Sequence, residues 1–161
     1  MLITVLSDTH LPRGGRRLAV ECLDVLARAD RVLHAGDFTT VRVYDELGRL
    51  APLQAVHGNV DEPELQALLP ERLVVEAGAI LIGMVHDAGP RERRAARLAA
   101  AFPGCAAVVY GHTHLPEISQ HEGVWILNPG SPTERRRAPH RSLLTLELEG
   151  DRLRPQLVVL P

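Results

Sequence analysis

Seven side chains able to ligate a cation recur in short polar turns along this chain. They are Asp8 and His10 in Ser-Asp-Thr-His, Asp37 in Gly-Asp, Asn59 in His-Gly-Asn-Val-Asp, His86 in His-Asp, and His112 with His114 in Gly-His-Thr-His. Taken singly, each has an ordinary explanation, since Asp and Thr suit caps and turns and histidines often sit in cores. What the seven share is placement. Each turn directly follows an apolar run: Leu2–Leu6, Arg31–Ala35, Leu53–Val56, Ala79–Val85 and Ala106–Tyr110. Such runs read as buried strands, so the polar turns gather at strand C-terminal ends, the edge where α/β sheets bind ligands. The donors are carboxylate, amide and imidazole only. A set without cysteine disfavours a closed structural zinc site. Seven groups exceed one tetrahedral ion but suit two open-sided ions sharing a carboxylate, and mixed imidazole and oxygen ligation admits Mn, Fe, Zn, Ni or Co.

The elements that must position these turns follow from periodicity. Apolar positions at helical spacing predict helices over 15–28, 40–50, 62–69 and 91–102, with Thr40 as a cap. Residues 72–76 and 79–85 read as a hairpin turning at Ala77-Gly78. Strand and helix therefore alternate through the front half. After Gly111-His112-Thr113-His114 the character changes: 117–121, 124–127, 142–149 and 153–160 read as the strands of an antiparallel meander. No repeat, low-complexity segment or linker interrupts the chain, and 161 residues suit one domain able to bury its own core.

Composition narrows the function. The chain is 45% apolar and 24% charged with a formal charge of −2, which argues against a dedicated nucleic-acid binder. No N-terminal leader and no membrane span is read, so a cytoplasmic protein without a membrane partner is expected. The chain contains no lysine, which excludes lysine nucleophiles and Schiff bases. Cys22 and Cys105 sit among Leu, Ala and Gly and read as buried free thiols. Arg135-Arg136-Arg137 reads as solvated surface.

The ordered motifs Asp-x-His, Gly-Asp, Gly-Asn, His and Gly-His-x-His resemble the signature of the calcineurin-like metallophosphoesterases. With Ser7-Asp8-Thr9-His10 near the start and Asn128-Pro129-Gly130-Ser131 near the end, the chain is most similar to the small stand-alone bacterial and archaeal phosphodiesterases of that superfamily. The resemblance runs over nearly the whole chain. It implies a single metallophosphoesterase domain over 1–161, with an α/β fold of four layers (α-β-β-α). Two mixed sheets would pack face to face, with a dinuclear metal site at the strand C-terminal ends. It implies that Asp8, His10 and His114 hold one ion, that Asn59, His86 and His112 hold the other, and that Asp37 bridges them. Two divalent ions, manganese by resemblance, would then convert a bridging water to hydroxide for in-line attack on the phosphorus of a small phosphoester.

Two positions depart from the superfamily pattern. Val60 stands where many members carry a histidine placed to protonate the leaving group, so that help, worth about 10²–10⁴-fold, must come from elsewhere or be absent. Asp87 follows His86 where glycine is usual, and either orients His86 or caps the next helix. His57 is a candidate substitute acid and, with Asn59, a candidate substrate contact. His34 reads as core or as support for the metal turns. Asn128 and Ser131 read as turn residues that the resemblance brings close to substrate. The alternatives are a phosphomonoesterase or nucleotidase of the same fold, and a non-catalytic protein-interaction scaffold resembling the retromer subunit. Homo-oligomers are compatible with the sequence.

Overall fold

Strand β1 (Leu2–Leu6) alternates Ile3 and Val5 on one face with Thr4 and Leu6 on the other, and all four are buried. A strand covered on both faces belongs in the middle of a layered structure. The computed structural model describes Met1–Pro161 and places β1 at the centre of a five-stranded sheet. There it pairs in parallel with β2 (Arg31–His34), which pairs in parallel with β3 (Leu53–Ala55). On its other side β1 pairs antiparallel with β9 (Arg141–Glu149), and β10 (Arg152–Leu160) closes that edge. Pro155 falls in β10, an edge strand that can lack one N–H donor.

A second five-stranded sheet has β4 (Arg72–Ala77) antiparallel to β5 (Ile80–Val85). It continues with β6 (Ala107–Tyr110) and β8 (Val124–Asn128), both in parallel register, and ends in β7 (Glu117–His121). The two sheets face each other across one apolar layer. Ile3, Val5, Leu144 and Leu146 from the first meet Ile82, Met84, Val109 and Leu127 from the second.

Helices cover the outer faces. α1 (Val20–Ala27), α2 (Val41–Gly48) and α3 (Pro63–Leu68) bring Leu26, Val43, Leu47 and Leu65 against Leu6 and Val32. α4 (Arg94–Ala101) sets Leu98 against Val108 and Ile126. None of these helices exceeds eight residues, too short to persist alone in water. Each stands on its buried residues, worth about 1.5–3 kcal/mol per fully buried Leu or Val. The result is the expected helix–sheet–sheet–helix stack. No helix is long and apolar enough to cross a membrane. Both cysteines are free and buried.

Five expectations need correction. Residues 117–160 are not one meander: β7 and β8 join the second sheet, while β9 and β10 join the first. Two hairpins in sequence look alike whichever sheet receives them, and here β8 aligns with β6 and β9 with β1. The helix expected from 15 starts at Val20, because Gly14 and Gly15 take positive φ (65° and 70°) and Arg16 reaches away to Glu134. The helix expected from 91 starts at Arg94, after a left-handed Arg93 and a loop whose carbonyls at Ala88 and Pro90 accept from Arg97. The β4–β5 turn lies at Gly78-Ala79, one residue late. Thr40 does precede α2, but the Val41 N–H is taken by Glu62 Oε1 at 2.7 Å instead.

Candidate metal centre

Because β1, β2 and β3 run parallel, as do β5 and β6, five strand ends deliver their polar turns to one edge of the stack. The turns brace one another through the backbone. Asp8 N–H donates to Gly36 O at 2.9 Å, His10 N–H to Asp37 O at 3.0 Å, and Gly111 N–H to His86 O at 2.9 Å. Asp8, His10, Asp37, His112 and His114 all have left-handed backbone, with φ of 55°, 46°, 62°, 66° and 58°. Non-glycine residues rarely adopt it, at a cost of about 1–2 kcal/mol each. Leaving the strand so abruptly is what aims alternate side chains at a common point. Gly111 allows the approach: a Cβ there would lie 1.9 Å from Ser7 Oγ and 2.9 Å from Asp8 Oδ2.

The seven residues form one connected group. His10 Nε2 lies 3.2 Å from His114 Nε2, and Asp8 Oδ1 lies 3.2 Å from His114 Nε2. Asp37 Oδ2 lies 3.8 Å from His10 Nε2 and 3.3 Å from His86 Nε2, between the two halves. Asn59 Oδ1 is 3.1 Å from both His86 Nε2 and His112 Nδ1. The donor atoms of Asp8, His10 and His114 all fall within 4.8 Å of one another, as do those of Asp8, Asp37 and His86. Asp8 thus reaches toward both halves, where the resemblance gave it to one.

These atoms suit cations better than they suit each other. His114 Nδ1–H donates to Glu134 O at 3.0 Å and His86 Nδ1–H to Ala35 O at 2.7 Å. With Nδ1–H donating outward, each ring turns its Nε2 inward toward the other candidate donors. Around those nitrogens lie Asp37 Oδ2, Asp8 Oδ1 and Asn59 Oδ1, oxygens of the kind that ligate divalent cations. Asp8 Oδ1 is buried with no hydrogen-bond partner. Donors about 2.1 Å from a shared divalent ion stand about 3.0–3.4 Å apart, close to the spacing seen. The residues fit the two ions that the resemblance implies.

Electrostatics point the same way. Burial alone would raise the Asp8 carboxyl, but contact with His114 and the charge of His86 hold it below the usual range. Burial likewise opposes ionisation of Asp37, yet the contact and charge of His86 bring it down to about 2. His86, which burial would keep neutral, is pushed up to about 9 by Asp37 and Asp8. Burial lowers His10 despite the attraction of Asp37 and Asp8. Two buried carboxylates demand positive charge at this spot.

Comparison with known proteins decides the family. The profile of the calcineurin-like phosphoesterase superfamily domain matches residues 1–151. The chain belongs to that superfamily. A probable metallophosphoesterase of Methanocaldococcus jannaschii is 37% identical over 161 residues, covering 98% of this chain and 81% of the relative. One of Methanothermobacter thermautotrophicus is 32% identical over 160 residues, covering 98% and 92%. Among solved structures, wild-type Vps29 of Entamoeba histolytica complexed with Zn²⁺ superposes with a TM-score of 0.78 at 27% identity, covering 99% of each chain.

Other residues of this calcineurin-like phosphoesterase fall around the seven as follows. His57 is half-buried, its Nδ1 3.3 Å from Gly58 O, and it lines a cleft of about 350 Å³ with Asn59 and His86. His34 is buried behind the site, accepting from Gly36 N–H through Nδ1 and meeting Thr9 Oγ1 through Nε2. Asp87 neither orients His86 nor caps α4; it accepts from Gly89 N–H at 2.8 Å within its own turn. Asn128 and Ser131 are buried braces. Asn128 Nδ2 donates to Gly111 O and Thr113 Oγ1, and Ser131 Oγ donates to Asp8 O at 2.7 Å.

Sequence reasoning missed three supports. Ser7 Oγ donates to Asp8 Oδ2 at 2.6 Å, fixing that carboxylate. Buried Asp61 accepts from the N–H groups of Asp37, Thr39 and Gly58 and so knits two turns together. Glu134 supplies the carbonyl that orients His114. Only Asp61 had a local signal, an acid two residues after Asn59 in a polar turn.

Proposed function

We propose that this chain is a phosphodiesterase acting on a small phosphoester. Asp8, His10 and His114 would hold one divalent ion, Asn59, His86 and His112 the other, and Asp37 both. The observation that supports this most strongly is the convergence of carboxylate, amide and imidazole donors within ligand spacing at one buried spot, where Asp8 Oδ1 has no hydrogen-bond partner. When bound, the two ions would lower the pKa of a water between them and neutralise charge on the phosphoryl oxygens as hydroxide attacks in line. Asp37 is suited to sharing because Val60 N–H occupies its Oδ1 at 3.0 Å, leaving Oδ2 free toward both halves. Asn59 contributes an oxygen without adding negative charge near an anionic substrate.

Val60 has no proton for a leaving group, so esters that leave as stable anions should react fastest. His57 borders the cleft and is the candidate substrate contact on that side. The diester preference and manganese rest on the resemblance to the small stand-alone phosphodiesterases.

The test is turnover of bis(p-nitrophenyl) phosphate against p-nitrophenyl phosphate, with manganese, with zinc and without metal, in wild type and Asp37→Ala. Diester hydrolysis that requires metal and is lost in Asp37→Ala is expected. Faster monoester turnover would transfer the reading to a monoesterase or nucleotidase. No turnover, together with no bound metal by elemental analysis, would leave the protein-interaction scaffold.

A further inference from the structure

The rim beside His10 and His114 is strongly cationic. It is formed by the segments 11–19 and 131–140, which together carry six arginines and one carboxylate, Glu134, in a chain whose formal charge is −2. That single carboxylate is placed to hold guanidinium groups. Its Oε1 lies 3.2 Å from Arg16 NH2 and its Oε2 lies 3.6 Å from Arg136 Nε. Through its backbone the same residue is locked to the site, since Glu134 O accepts from His114 Nδ1 at 3.0 Å. Ser131 Oγ and Thr133 Oγ1 tie the segment to Asp8 O and Thr9 O, each at 2.7 Å. The segment that carries Arg136, and the carboxylate that pairs with both Arg16 and Arg136, are therefore anchored beside the candidate ligands.

Guanidinium carries five N–H donors, and each of these arginines spends few of them on Glu134. Arg16 NH1 also donates to Arg13 O at 3.2 Å, which steadies it further. The remaining donors form a fork of the kind that binds phosphate oxygens in pairs. The opposite end of the site has the other sign. The cleft past Asn59 and His86 is lined by Glu71 and Asp87 and contains no arginine. Of these two sides, a second anionic group on the substrate is favoured on the arginine side over that of Glu71 and Asp87.

We propose that Arg16 and Arg136, braced by Glu134, receive a second phosphate of the substrate, so that the preferred class is phosphodiesters bearing a further phosphate beyond the scissile one. This rests on the phosphodiesterase reading above. Both arginines are partly exposed, so salt should weaken the effect.

The test compares two p-nitrophenyl esters on the manganese-loaded full-length chain: that of thymidine 5′-phosphate, and the same ester carrying an additional 3′-phosphate. Wild type should favour the second by about five- to tenfold in kcat/KM, mainly through KM, as expected for two partly exposed charge contacts. In Arg16→Ala/Arg136→Ala that preference should fall to about twofold or less, and 0.5 M NaCl should compress it in wild type. Taking the ratio of the two esters cancels any loss common to both. Arg136→Ala alone, altering a side chain 48% exposed, serves if the double variant fails to fold. No preference in wild type, or a preference unchanged in the variants, overturns the proposal. If neither ester is turned over, the hydrolase reading falls. Calorimetry with thymidine 3′,5′-bisphosphate then decides the arginines: binding several-fold weaker in the variant supports them, and equal binding overturns them.

Discussion

Replacing Gly58 by alanine should disable the centre although no candidate ligand is replaced. The backbone of Gly58 is not left-handed, so its φ does not require glycine; the space does. A Cβ there would lie 2.0 Å from Asp37 Oδ1, 2.4 Å from Asp37 N and 2.7 Å from Asp37 Cγ. Contacts below 3.0 Å do not persist, so the Asp37 carboxylate must retreat by about 1 Å, and its amide, pinned by Asp61 Oδ2 at 3.1 Å, cannot follow freely. Overpacking of this kind costs about 1–3 kcal/mol, and contact with backbone sets the expectation at about 2–3 kcal/mol. At about 2–4 °C per kcal/mol for a chain of this size, the Tm should fall by about 4–12 °C. The deficit should widen in saturating manganese, because a ligand stabilises only the state that binds it. A displaced group of about 1 Å should lower the initial rate on an aryl phosphodiester by about 10²-fold. Gly48→Ala is the control: nothing lies within 4 Å of its Cβ, and at the end of α2 it should hold or raise the Tm. Gly58→Ala with wild-type Tm and wild-type rate would refute the steric argument.

Two further outcomes follow from buried groups away from the ligands. Burial pushes His34 down from 6.5 to about 3, so between those values the unfolded chain binds a proton that the folded chain does not. The contribution of His34 is therefore whole above pH 6.5 and falls as pH drops, by about 2 kcal/mol at pH 5. Between pH 8 and pH 5, urea denaturation should shift wild type against His34→Gln by about 2 kcal/mol, wild type losing more; the same pH dependence in both would refute it. Asn128→Ala removes three hydrogen bonds, to Gly111 O, Thr113 Oγ1 and from Gly130 N–H, in a fully buried setting. At about 1 kcal/mol each the loss is about 3 kcal/mol, and a denaturation midpoint implying less than about 1 kcal/mol would contradict the brace assigned to this residue.

Much of the fold was legible because its strands are buried on both faces. Ile3-Thr4-Val5-Leu6 and Ala107-Val108-Val109-Tyr110 read as apolar runs that stop abruptly at polar turns, and the abrupt stop locates the candidate site. The partition of β7–β10 between the sheets was not legible, because pairing with β6 or β1 depends on residues far away in sequence. Helix starts at Val20 and Arg94 were missed for a related reason. Arg16 is a good helix former drawn away to Glu134, and the side chain of Arg97, inside α4, holds residues 88–90 in a loop, neither of which periodicity reveals. The donors were visible as residue types, whereas Ser7, Asp61 and Glu134 act through backbone groups or neighbours that only folding supplies. Asn128 and Ser131, read as turn residues, do accept from Gly130 N–H and Thr133 N–H, and in addition they turn inward to brace Gly111 O and Asp8 O.

The left-handed turns at Asp8, His10, Asp37, His112 and His114 have an evolutionary consequence. Glycine at any of the five would relax the backbone, so selection for sturdiness alone runs against keeping them. A lineage released from the need to bind metal should shed these side chains first while the sheets stay intact. Their joint survival in a descendant is thus a sign of continued use.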